Sequence, residues 1–94
     1  IYADNCEVSR NRISNFYGAV IYVEGENFQA HGNVLAEPRF NDRHGCIELN
    51  KPGARITGNI LRSSRPVGHA IVANSPALVR ENQVEGFALP LQQN

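Results

Sequence analysis

The chain has 94 residues, 41% of them apolar, with nine basic and nine acidic side chains and no net charge. That length permits one domain with a narrow core, and the neutral balance argues against a nucleic-acid groove or an anionic membrane surface. Nothing resembles a transmembrane helix, a phosphate-binding glycine loop or a zinc site, and His31, His44 and His69 are too scattered to suggest a metal; neither metal nor cofactor is expected.

Ile1-Tyr2-Ala3-Asp4 aligns with Ile21-Tyr22-Val23-Glu24, so the chain opens inside a strand. One frame follows four times: Val8-Ser9-Arg10-Asn11-Arg12-Ile13, Ala30-His31-Gly32-Asn33-Val34-Leu35, Ile56-Thr57-Gly58-Asn59-Ile60-Leu61 and Val79-Arg80-Glu81-Asn82-Gln83-Val84. A second frame interleaves: Gly18-Ala19-Val20-Ile21-Tyr22-Val23, Gly45-Cys46-Ile47-Glu48-Leu49-Asn50 and Gly68-His69-Ala70-Ile71-Val72-Ala73, with Gly86-Phe87-Ala88-Leu89 as a fourth copy. Turn signals follow the first three, at Glu24-Gly25-Glu26-Asn27, Asn50-Lys51-Pro52-Gly53 and Asn74-Ser75-Pro76. Each unit therefore reads as a first strand, a tight turn, a second strand, an asparagine bend, a short third strand and a variable loop. Such segments are too short for helices and rich in β-branched residues. A repeat of this length marks a solenoid. The expected fold is all-β: a right-handed parallel β-helix of about four rungs of roughly 22 residues, residues 1–94 forming one segment.

Side chains alternate inward and outward along a strand. The gapless alignment places Val20 and Tyr22, Ile47 and Leu49, Ala70 and Val72 inside from the first strand. The second strand adds Cys6 and Val8, Phe28 and Ala30, Ala54 and Ile56, Ala77 and Val79; the third adds Ile13, Leu35, Leu61 and Val84. Asn11, Asn33, Asn59 and Asn82 fit the bend, because asparagine tolerates left-handed backbone and its amide both donates and accepts. Stacked about 4.8 Å apart, these amides form an internal ladder. Neither end shows a polar capping unit, so a segment of a longer helix is expected. Cys6 points inward and Cys46 outward, which argues against a disulfide.

The paired frames resemble the pectate-lyase-like superfamily of right-handed β-helices, which includes polysaccharide lyases, glycoside hydrolases and phage tailspikes. The resemblance covers nearly the whole chain and implies an extracellular, cell-surface or virion carbohydrate-active protein, most of this segment serving as scaffold. Gly68-His69-Ala70 is similar to an element that polygalacturonases carry on the same strand. His44-Gly45 stands where those enzymes carry two aspartates, so that activity is not implied.

In such folds the outer face of the first strand forms the carbohydrate groove. The loop 36–44 runs into it, and long insertions on one side of a solenoid tend to carry function. Glu48, Asp42 and His69 are the candidate catalytic groups, as acid and base on a glycosidic bond. Asp42 with Glu48 forms the carboxylate pair, and His69 lies diagonal to Glu48 across one rung. Arg43, His44 and Arg39 are the candidate substrate contacts, with Arg43 orienting an acidic sugar, since arginine forks suit carboxylates. The competing class is a structural or adhesive β-helix. Its apolar outer row, Ile21, Ile71 and Leu89, would form an oligomer interface such as that of a homotrimer.

Overall fold

The computed structural model describes residues 1–39, 45–65 and 68–94. They form no helix and twelve short strands: β1 (Glu7–Ser9), β2 (Arg12–Ser14), β3 (Ile21–Val23), β4 (Gln29–His31), β5 (Val34–Ala36), β6 (Ile47–Leu49), β7 (Ala54–Thr57), β8 (Ile60–Arg62), β9 (His69–Ala73), β10 (Ala77–Arg80), β11 (Gln83–Glu85) and β12 (Leu89–Gln93). Every pairing is parallel, and the strands sort into three sheets. The first sheet is β3-β6-β9-β12, the second β1-β4-β7-β10 and the third β2-β5-β8-β11. The chain is thus a parallel β-solenoid of about 3 turns, each of roughly 23 residues.

Short strands require frequent corners, and left-handed residues stand at them. Asn5, Asn27 and Gly53 take positive φ between the first and second sheets, and Arg10, Gly32, Gly58 and Glu81 between the second and third. The expectation that the ladder asparagines supply this left-handed geometry does not hold. The residue just before each asparagine takes it, and the asparagine is left to aim its amide along the axis.

The ladder itself is continuous. Asn11, Asn33 and Asn59 each donate Nδ2–H to Oδ1 of the next asparagine, at 3.1, 2.9 and 3.0 Å. Their backbone N–H groups donate to the same oxygens. The second amide hydrogens close on backbone carbonyls, Val8 O for Asn33 and Ala30 O for Asn59. Asn33 and Asn59 are only 1% exposed. Saturation of their hydrogen bonds makes such burial tolerable.

Around the ladder lie Phe28, Ala30, Ala54 and Ile56 from the second sheet and Leu35 and Leu61 from the third, all buried. Each large apolar side chain there contributes roughly 1.5–3 kcal/mol. Val8, Ile13, Val79 and Val84 continue the same columns in the edge strands and are half-buried. Cys6 packs against this core, and no disulfide joins Cys6 to Cys46.

In the first sheet the register differs from the gapless alignment. Ile21 pairs with Ile47 and Ile47 with Ile71, while Tyr22 pairs with Glu48 and Glu48 with Val72. Ile21 and Ile71, expected outside, are therefore buried, as are Val23, Ile47, Leu49 and Ala73, and Cys46 is buried as well. Tyr22, expected inside, faces out. Leu91 rather than Leu89 pairs with Ile71. A slip of one residue inverts every side chain of a strand, so the register that stacks isoleucine on isoleucine wins over the one that aligns glycines. The connections entering this sheet (15–20, 37–46, 63–68 and 86–88) differ in length, which frees the glycines from a common level. An outer apolar row through Ile21 and Ile71 is thereby replaced by core.

Candidate functional site

With the register corrected, the outer face of the first sheet carries two rows, polar except at Val72, which was expected inside and here sits beside Glu48, 3% exposed. Tyr22, Glu48, Val72 and Gln92 stand side by side on β3, β6, β9 and β12. Two residues further along each strand come Glu24, Asn50, Asn74 and Asn94, their levels fixed by backbone bonds from Asn50, Asn74 and Asn94 to Val23, Leu49 and Ala73.

The second row is an outer amide ladder. Asn94 Nδ2 donates to Asn74 Oδ1, and Asn74 Nδ2 donates to Asn50 Oδ1 at 2.6 Å. Asn50 Nδ2 then donates to two carboxylates, Glu48 Oε2 at 2.7 Å and Glu24 Oε2 at 3.0 Å. A carboxylate only accepts, so a chain ending on one must point all its donors that way. The inner ladder runs the other way, from Asn11 towards Asn82.

Tyr22 completes the cluster by donating its hydroxyl to Glu24 Oε2 at 2.8 Å. That bond, then desolvation and the charges of Glu24 and Glu48, push the phenol up to about 12. Tyr2 lies against it, ring centroids 6.5 Å apart and planes tilted by 49°. Tyr2 is 83% exposed and Tyr22 36%, whereas Glu48 is only 6% exposed. Two bonds to one nitrogen hold the Glu24 and Glu48 oxygens no more than about 6 Å apart, short of the separation an inverting glycosidase leaves for water. As built, the pair offers acceptors framed by aromatic rings.

Of the expected site residues, Glu48 lies at the centre of this cluster. His69 opens β9, three residues before Val72, the direct neighbour of Glu48. It therefore lies about 10 Å along the strand from that neighbour, and the diagonal placement does not hold. Arg39 belongs to another cluster, in a groove lined by Asn15, Glu37, Pro38, Ser64 and Arg65. Arg65 Nη2 donates to the Arg39 carbonyl at 3.2 Å there, and the Ser64 N–H, bound to Glu37 at 2.7 Å, holds the Glu37 carboxyl below its usual range. Asp42, Arg43 and His44 lie outside the described residues, and with them the Asp42–Glu48 pair.

Tyr2, Tyr22, Glu24 and Asn50 are the members that sequence reasoning missed. The signal was present: Ile21-x-Val23, Ile47-x-Leu49 and Ile71-x-Ala73 share an apolar parity that turns Tyr22, Glu48 and Val72 outward together. Among the described residues no group of three or more His, Cys, Asp or Glu could hold a metal ion, and no helix is long and apolar enough to cross a membrane. Comparison with known proteins finds no matching family model, curated protein or solved structure.

Proposed function

We propose that this chain is part of a carbohydrate-active β-solenoid of the extracellular or virion type, binding polysaccharide on the outer face of the first sheet. The observation that carries this reading is the cluster of Tyr2, Tyr22, Glu24, Glu48 and Asn50 on one face. Exposed tyrosine rings offer flat amphipathic surface, and carboxylates and amides offer acceptors for sugar hydroxyls. Rungs repeat about every 4.8 Å, so a linear polymer running along the axis meets equivalent positions in succession. The inner ladder and aliphatic columns are scaffold that keeps this face rigid.

If the parent protein also cleaves its polymer by hydrolysis, Glu48 is the carboxylate to test, with Asp42 and His69 as the other groups that the sequence nominates. At a Glu24–Glu48 pair this close, hydrolysis would retain configuration at the sugar carbon. The test is titration of the chain against a panel of soluble polysaccharides, followed by reducing-end release. Saturable binding weakened by Tyr2→Ala and Tyr22→Ala supports the proposal; absence of binding across the panel sinks it.

A structural or adhesive solenoid is the second reading. Leu78, Leu89 and Leu91 favour it, since they are exposed apolar side chains on the edge strands β10 and β12. It predicts no glycan binding and a self-association, trimeric in the tailspike manner, that Leu78→Asp weakens.

A further inference from the structure

Building and resting on the carbohydrate-binding reading, we propose that Tyr2, Tyr22 and Glu24 form a subsite for a pyranose bearing an ammonium group, a hexosamine, and not for a uronate. Three features of the face carry this. Glu24 Oε2 is taken up by the Tyr22 hydroxyl and the Asn50 amide, while Oε1 accepts no hydrogen bond among the described residues. One carboxylate oxygen of a half-buried, well-anchored side chain therefore remains for a ligand donor.

The aromatic surround fits the same ligand. Tyr2 and Tyr22 are tilted against each other instead of lying flat together, so the Tyr2 face is open. A ring face attracts a cation within about 6 Å and also packs on the apolar side of a sugar ring. An ammonium with three donors satisfies Glu24 Oε1 and keeps its charge near both rings.

Two carboxylates bear on the Tyr22 ring. Glu24 and Glu48 both act on the Tyr22 phenol, and every charge felt there works against its ionisation. A uronate carboxylate brought to Glu24 meets repulsion and finds no donor on Tyr22, whose hydroxyl is engaged.

Three oligosaccharides of equal length separate the possibilities by calorimetric titration in low salt at mildly acidic pH: oligomers of glucosamine, glucose and galacturonic acid. Glucosamine is expected to bind about three- to fivefold tighter than glucose, the yield of a partly exposed ion pair, and more than about tenfold tighter than galacturonate. Glu24→Gln should remove the preference, bringing glucosamine affinity to that of glucose for the same variant. Tyr2→Ala should weaken both, and Tyr17→Ala, at another exposed tyrosine, should weaken neither. Tyr2 and Tyr17 are exposed, and Glu24→Gln keeps the size of the side chain and one acceptor oxygen, so the variants fold. Galacturonate binding as tightly as glucosamine, or a preference that survives Glu24→Gln, overturns the subsite while glucose binding sensitive to Tyr2→Ala leaves the sugar-binding face standing. No binding of any of the three overturns both.

Discussion

Asn59→Ala removes the best-satisfied rung of the inner ladder. Its Oδ1 accepts from Asn33 N at 3.0 Å and Asn33 Nδ2 at 2.9 Å. Its Nδ2 donates to Ala30 O, Thr57 O and Asn82 Oδ1 at 3.0, 3.2 and 3.0 Å. Alanine supplies none of these, and the cavity lies where residues 33 and 59 are only 1% exposed. The Asn33 N–H and the Asn33 side-chain amide lose their acceptor there, each at a cost of about 1–3 kcal/mol, so the net loss is about 3–4 kcal/mol. Asn11→Ala makes the contrast: it strips the exposed Ser9 carbonyl and one acceptor at the edge, costing about 1 kcal/mol or less. Urea unfolding followed by circular dichroism measures both. A domain of this size has about 5–14 kcal/mol in total, so the Asn59 midpoint should fall steeply at unchanged slope. Equal midpoints for the two variants would refute the idea that the buried amide column carries stability. Asn33→Ala combined with Asn59→Ala should cost less than the two singly, since they share two bonds.

The backbone corners give a second contrast. Gly58 has φ of 67° and open space where a Cβ would stand, so Gly58→Ala should cost about 1–2 kcal/mol from conformation alone, read by the same urea midpoints. Glu81 occupies the equivalent corner at φ of 60°, and Glu81→Gly should be neutral or stabilising by up to about 1 kcal/mol. Glu7 accepts from His31 Nε2 at 2.8 Å, and that bond, more than the one from Ser9, holds its carboxyl below the usual 4.5. A depressed folded-state value means that the contribution is complete above 4.5 and is lost as pH falls through the folded value; Glu7→Gln should flatten the stability profile in that acid range. Tyr22 works in the opposite sense. Its phenol is raised to about 12, so its bond to Glu24 stabilises the fold fully below 10 and is lost as pH rises towards 12. Ultraviolet titration should show one late phenolate that Tyr22→Phe abolishes and Glu24→Gln brings down.

The second and third strands were legible because their asparagine frame also fixes their pairing. The offsets of 22, 26 and 23 residues between ladder asparagines are those between paired strand residues, such as Ile13 with Leu35 and Leu35 with Leu61. Parity then put Ala30, Ile56, Leu35 and Leu61 inside. No such anchor exists for the first strand. Gly18 and Gly68 stand three residues before Ile21 and Ile71, but Gly45 stands only two before Ile47, so aligning the glycines misplaces the middle strand by one. Apolar parity was the better guide, since burying Ile21, Ile47 and Ile71 decides which side of the strand faces water. Glu48 was legible as an outward carboxylate because either alignment leaves it outside. Glu24 and Asn50 were concealed as turn residues: a turn composition shows where the chain bends, not which side chains stack across rungs. Only with Tyr22 beside Glu48 does the outer ladder ending on two carboxylates become visible.

Nuclear Overhauser contacts in a sample with labelled isoleucine methyls and asparagine amides test the register most directly. Contacts from Ile21 to Ile47 and from Ile47 to Ile71 are expected, together with Asn33 and Asn59 side-chain amides that face each other and exchange slowly with solvent. Ile21 and Ile71 methyls that contact neither Ile47 nor the interior, or ladder amides that exchange as freely as those of exposed asparagines, would contradict the fold and every site built on it.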